Sequence, residues 1–149
     1  MGSTLVPLIV RFPDGEGAGQ RFNQLIYDTD VTATFYECAG IDIHSKVSID
    51  GQSLYSLVKY GKWNEREYLT SRYGNTLWYR DKKWWVIIDV TGKPRAVFNL
   101  QKDPHCQSNI VSHTKDVVKK AWKYILDDAG GDLPVHEKIK QTDALGRNC

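Results

Sequence analysis

The spacing of apolar positions changes near residue 67 and divides the chain into two stretches of different character. In the first, Val6-Pro-Leu-Ile-Val-Arg-Phe-Pro13 is a nearly all-apolar run closed by proline, the pattern of a strand buried on both faces of a parallel sheet. No second strand–helix unit is present to build that sheet, so the run predicts an edge strand of a truncated α/β sheet. Gln24 to Ala39 predicts a helix in which Leu25, Val31, Phe35, Cys38 and Ala39 share one face and Gly40 supplies the stop. Cys38 on that stripe is expected as a buried free thiol. Asp50-Gly51 marks a turn, and Ser53 to Val58 predicts one or two helical turns.

From Glu67 onward the period becomes that of strands. Tyr68–Tyr73, Thr76–Arg80, Lys83–Val90 and Arg95–Leu100 are β-rich runs. Gly74-Asn75, Asp81-Lys82 and Thr91-Gly-Lys-Pro94 separate them with turn chemistry, which predicts an antiparallel meander. In the third run Trp84, Val86 and Ile88 alternate with Trp85, Ile87 and Asp89, so both faces carry apolar groups and one needs a cover. The last helix supplies it: Ser112 is the expected N-cap, Val117, Val118, Ala121, Trp122, Ile125 and Leu126 form an amphipathic stripe, and Gly130-Gly131 ends it. The fold class is therefore α+β, with an edge strand and helix of a truncated α/β sheet followed by a four-stranded antiparallel sheet packed by a C-terminal helix.

Charge and composition narrow the function classes. Twenty basic against eighteen acidic residues leave a net charge of +2, too little to draw nucleic acid or an anionic membrane. No run approaches the ~20 apolar residues that span a bilayer, and no signal peptide is read at the start. Cys38, Cys106 and Cys149 have no framework spacing and no CxxC pattern, and His44, His105, His113 and His136 have no metal-ligand spacing. Asp14-Gly-Glu-Gly-Ala-Gly19 is glycine-rich but lacks the Lys-Ser/Thr of a P-loop and carries two carboxylates, so it reads as a surface loop. The aromatics cluster between Tyr55 and Trp85. Their expected role is core packing, with Trp78, Trp84 and Trp85 as weak candidates for stacking on a sugar ring.

Four segments, in order, carry a resemblance. Val6–Pro13 is similar to the strand that sulfatases of the alkaline-phosphatase-like superfamily write as VPLIVRWPG. Asp30-Val-Thr-Ala-Thr34 with Cys38-Ala-Gly-Ile41 resembles their D-L-x-P-T-L-L-D-L-A-G-I helix, with Ala33 in place of the proline. Asp50-Gly-Gln-Ser-Leu54 with Leu57 resembles DGxSLxPLL. Phe98-Asn-Leu-Gln-Lys-Asp-Pro104 and Asn109-Ile110 resemble the closing YDLxxDPxExxNL, with Asn99 replacing aspartate and the glutamate missing.

The resemblance covers roughly Val6 to Asp128 and implies the C-terminal portion of a sulfatase. It assigns residues 1–62 to the tail end of the catalytic α/β domain, 63–130 to an antiparallel-sheet subdomain with its helix, and 131–149 to a polar tail. The full-length parent is then expected to hydrolyse sulfuric esters of a small molecule or glycan, using a divalent cation (calcium) and a formylglycine made in a C/S-x-P-x-R motif. None of the three cysteines stands in that motif, so no catalytic or metal-binding residue of the family transfers to this chain, and no cofactor is expected in it. The expected partner is the N-terminal catalytic portion, and bare strand edges would favour self-association. Two alternatives stand beside this: a parent that cleaves phosphate or phosphonate esters, and a non-catalytic module that binds carbohydrate or protein through its aromatic sheet.

Overall fold

A computed structural model describes residues 7–42 and 49–135, and the chain divides into two compact units with the break after Arg66. The unit before the break contains helix α1 (Asp28–Cys38) and helix α2 (Leu54–Tyr60). The unit after it contains strands β1 (Tyr68–Tyr73), β2 (Thr76–Asp81), β3 (Trp84–Asp89) and β4 (Pro94–Asn99), a short 3₁₀ turn (Val111–His113) and helix α3 (Lys115–Asp128). The class is α+β.

The second unit is the meander in order β1-β2-β3-β4, every neighbour antiparallel. Its turns are built by local side chains. At the β1–β2 corner Gly74 takes φ 58°, a conformation that costs a residue with a Cβ but not glycine. At the β2–β3 corner Asp81 Oδ1 accepts from the backbone N–H of Lys83 and of Trp84, an Asx turn that needs no glycine. Pro94 opens the edge strand β4, where a missing N–H breaks no interior ladder, and the register slips at Ile87/Ile88 beside it.

Alternation decides which residues meet α3. Leu77 and Tyr79 of β2, Val86 and Ile88 of β3 and Val97 of β4 are buried in one cluster with Ala121 and Ile125 of α3. Trp84 packs against that cluster from the same face. Tyr68, Tyr79 and Tyr124 stack beside it, with ring centroids 4.2 Å apart for Tyr68–Tyr124 and 5.7 Å for Tyr68–Tyr79. The helix thus covers the face that sequence alternation had left needing one. Ser112 is not its N-cap. Ser112 lies in the 3₁₀ turn and Thr114 occupies the cap position, where its hydroxyl donates back to the Ile110 carbonyl at 3.0 Å. It makes no side-chain cap bond to the helix N-terminus, and the 3₁₀ turn itself leads the chain into α3.

In the first unit the predicted helix is shorter, starting at Asp28 rather than Gln24. Its orientation also differs from expectation. The buried side of α1 is Asp30, Ala33 and Thr34, while Phe35 is 71% exposed and Cys38 is exposed. Cys38 is therefore not the buried thiol expected of an apolar stripe. Asp30 and Thr34 have hydrogen-bond partners within the unit, so α1 turns its polar side inward and leaves its apolar side uncovered. Residues 7–12 pair with no strand among the described residues, and Ile9 is 91% exposed. Phe12 at the end of this run is buried, edge-on to Tyr55 at 5.1 Å.

Two outcomes follow for the second unit. Ile125→Ala should cost about 2–5 kcal/mol in urea unfolding, the range for truncating a buried isoleucine, against within about 0.5 kcal/mol for the exposed Lys123→Ala. The second concerns alkali. Burial, with a hydrogen bond to Asp128, pushes the Tyr68 phenol up to about 12 from 10.0, and burial with a hydrogen bond to Asp81 raises Tyr79 as well. A phenol whose folded pKa is raised stabilises fully below its unfolded pKa. That stability is lost as pH rises from about 10 towards 12. The urea midpoint should therefore fall across that interval, and Tyr68→Phe should flatten the fall.

Candidate functional site

The most highly connected polar group of the first unit is the Asp30 carboxylate, whose side chain is fully buried. Arg66 grips it with both ends of its guanidinium, Nη1 to Oδ2 at 2.8 Å and Nη2 to Oδ1 at 2.7 Å. Each oxygen also accepts a backbone N–H: Oδ2 from Tyr27 at 2.8 Å and Oδ1 from Gln52 at 2.7 Å. The guanidinium donates onward to the carbonyls of Leu25 and Asp50, and it lies over the rings of Tyr27 and Trp63 at 5.4 and 5.3 Å. A buried charge is tolerable only when paired and hydrogen-bonded, and this one is saturated on every side. Saturation leaves no lone pair for a ligand. The node is a clamp, not a catalytic group.

The residues that carried the resemblance are built into the same clamp. Gly51 sits so close to α1 that a Cβ there would lie 2.3 Å from the Thr29 carbonyl oxygen. Thr34 Oγ1 donates to the Asp30 carbonyl at 2.6 Å and accepts from the Leu54 N–H at 2.8 Å, and Ser53 caps α2 by accepting from Tyr55. Gln52 exchanges two hydrogen bonds with the backbone of Asn64. In the second unit the closing motif behaves alike. Asn109 Oδ1 accepts from the N–H groups of Val97 and Val111, and its amide donates to the Arg95 carbonyl. Asp103 accepts from Gln107 and Ser108, which holds its carboxyl below the usual range. Asn99, where the motif has aspartate, caps Gln101 and Lys102.

The sheet separates the tryptophans singled out from the sequence. Trp84 lies on the α3 face, whereas Trp78 and Trp85 lie on the other, two residues offset across the β2–β3 register. Trp85 is buried and tilted against Phe98 at 5.8 Å, and Trp78 is half-buried. His105 and His113 join no cluster of three or more metal-ligating side chains among the described residues, and His44, His136 and Cys149 lie outside them. Partial desolvation and the neighbouring Glu37 and Asp14 raise the exposed Cys38 thiol, and burial with Asp103 raises Cys106, so neither favours the thiolate a nucleophile needs. No described helix is long and apolar enough to cross a membrane.

Sequence reasoning missed Arg66. It lies thirty-six residues from Asp30, and no periodicity links the two positions. Also unforeseen is a recess of about 1000 Å³ in the first unit, between the second half of α1, the 49–53 turn, α2 and residues 61–64.

Residues 2–73 match the family model for N-sulphoglucosamine sulphohydrolase, C-terminal. No curated protein sequence matches the chain. Among solved structures, the fold is similar to that of a protein assigned as a sulfatase from Bacteroides thetaiotaomicron VPI-5482, with TM-score 0.52 and 20% identity over 66% of this chain and 23% of that one. It is similar also to a 2-O GAG sulfatase, with TM-score 0.51 and 20% identity over 67% of this chain and 23% of that one. A third, solved in complex with its substrate D-glucosamine-2-N,6-O-disulfate, gives TM-score 0.51 and 16% identity over 68% of this chain and 23% of that one. The chain spans about a quarter of the length of these structures. Over residues 2–73 the sequence is similar to the C-terminal part of that sulphohydrolase family, and the fold resembles part of these sulfatase structures.

The clamp yields a direct test. Asp30→Asn leaves Arg66 paired to a neutral amide, and Arg66→Met strands the buried carboxylate. Arg66→Met should cost about 3–5 kcal/mol in urea unfolding, the range for removing one partner of a buried pair. Gly51→Ala should destabilise as well, and both losses should appear in the amide exchange of residues 28–38.

Proposed function

We propose that this chain is the C-terminal part of a sulfatase-type hydrolase that cleaves sulfuric esters of a small molecule or glycan. Without the rest of that enzyme it is inactive. The observation that carries the reading is the uncovered apolar side of the first unit: Ile9 at 91% exposure, Phe35 at 71%, and Leu8 and Val10 near half. A residue as apolar as Ile9 leaves water only against another surface. The first-unit stretch belongs to the catalytic α/β domain, up to about residue 62, with residues 63–130 as the small subdomain and 131–149 as a tail. The partner is the N-terminal catalytic portion, which covers that apolar side.

The parent would use a divalent cation, calcium, and a formylglycine. The described residues do not fit either. No group of three His, Cys, Asp or Glu side chains among them could hold the cation, and Cys38 and Cys106 are followed by Ala-Gly and Gln-Ser rather than x-P-x-R. Sulfate-ester hydrolysis needs a nucleophile and an electrophile to hold the oxygens as charge develops. No step of it runs through these residues, so this portion contributes support and pocket wall. Direct contact with a sugar from the aromatic sheet would fall to Trp78, because Trp85 is buried and Trp84 packs under α3.

The purified chain supplied with calcium should turn over an aryl sulfate no faster than a heat-killed control; faster turnover would overturn the inactive-alone reading. The native polypeptide, blotted with antibody to residues 112–129, should run several times larger than 17.0 kDa. Cleavage of aryl phosphate in preference to aryl sulfate by that larger protein would transfer the assignment to phosphoester hydrolysis. The 149-residue chain should self-associate through its uncovered apolar side, and Ile9→Lys with Phe35→Glu should reduce this. A monodisperse wild-type monomer in light scattering would refute it.

A further inference from the structure

The C-terminal end of α2 carries an aromatic and basic patch that the Asp30 clamp does not use. Buried Phe12 meets Tyr55 edge-on at 5.1 Å, and Tyr55 meets Tyr60 edge-on at 6.3 Å and 86°. Three rings thus run from the interior of the first unit to its surface, where Tyr60 is 56% exposed. Edge-to-face contacts of this kind set the orientation of a ring. Gly61 then closes the helix at φ 63°, with its own N–H and that of Lys62 donating back to the Leu57 and Ser56 carbonyls. This end turn folds the chain back and brings Lys62 beside Tyr60.

Two ammonium groups stand by the exposed ring. Lys59 Nζ lies 6.0 Å from its centroid and Lys62 Nζ lies 5.6 Å from it. Lys59 is held in place by donating to the Tyr55 hydroxyl at 2.5 Å. Atoms in contact sit about 3.5–4.0 Å apart, so neither ammonium presses on the ring face. Neither lysine forms an ion pair among the described residues, unlike Arg66 with Asp30 and Lys120 with Asp81. Asp14 is the carboxylate that acts on Lys59, as the least of the influences on it. Glu37, Asp42 and Asp50 share the recess wall with Lys62, and none of them is ion-paired to it. The lysines of α3 make no comparable patch, because Asp116 and Asp127 stand four residues from Lys120 and Lys123.

An exposed ring with two cations beside it fits a ligand that is itself a ring and an anion. The ring face suits the C–H side of a pyranose, and the ammonium groups suit the oxygens of an acidic substituent. We propose that Tyr60, Lys59 and Lys62 bind a sulfated pyranose. The choice of sulfate as the acid rests on the hydrolase reading; the patch itself does not.

The test is titration of the ¹⁵N-labelled 149-residue chain with methyl glucoside 6-sulfate, methyl glucoside and inorganic sulfate, read at the Gly61 and Lys62 amide resonances. Saturable displacement by the 6-sulfate is expected, at least about threefold tighter than by either of its halves, and weaker as salt is raised. Lys59→Gln and Lys62→Gln should each weaken it about two- to fivefold, the effect of one exposed charge pair. Tyr60→Ala should remove the advantage of the 6-sulfate over inorganic sulfate. Lys119→Gln with Lys123→Gln, on α3, should leave binding unchanged. All these side chains are exposed, so the variants should keep the amide dispersion of the wild type. The proposal is overturned if the 6-sulfate moves neither resonance, if inorganic sulfate or the neutral glycoside binds as tightly, or if the α3 pair weakens binding as much as the α2 pair. The readout is binding to this chain, so its failure is distinct from a failure of the larger protein to cleave aryl sulfate.

Discussion

The first unit depends on one buried carboxylate. Asp30 is reached from three separate pieces of chain: the residue before α1, the turn at residues 50–52, and Arg66. Removing a carboxylate from water is costly, and the cost is offset here by two charged and two backbone donors in good geometry. The same grip dictates the orientation of α1. A helix that places Asp30 and Thr34 inward, four residues apart on one face, turns Phe35 away from that face; Cys38 continues the face at the end of the helix and is exposed there.

That orientation links packing to function. In a self-sufficient domain the apolar stripe of a helix would face its own core. Here α1 buries Asp30 and Thr34 with Ala33 and leaves Phe35 facing out, alongside the exposed run at residues 8–10. Such an arrangement suits a chain that packs this side against a further surface. The solved structures of similar fold are more than four times the length of the matching region. The second unit shows the opposite economy: its sheet meets α3 through a dry cluster of Leu77, Val86, Ile88, Val97, Ala121 and Ile125, complete within the unit.

The motifs by which the chain resembles sulfatases turn out to be bracing. Gly51 permits a backbone contact that any side chain would block, Ser53 caps α2, and Asn109 ties the returning loop to β4. Residues of this kind cannot be exchanged without moving backbone, which is why they make recognisable patterns. They report fold. Chemistry in the parent would rest on residues of other segments.

The sequence alone determined the meander, its corners and the helix that covers it. Those elements rest on local rules: strand alternation of period two, turn residues between runs, and an amphipathic stripe in α3. It also determined, through motifs in order, the class of enzyme the chain resembles. It did not determine that α1 turns its apolar stripe outward, that Cys38 is exposed, or that Ser112 yields the cap position to Thr114. Nor could it join Asp30 to Arg66, or set Glu37 and Trp63 in one recess wall. Periodicity describes what one element offers to its surroundings. Which side is accepted depends on partners distant in sequence, and only the tertiary structure brings those together.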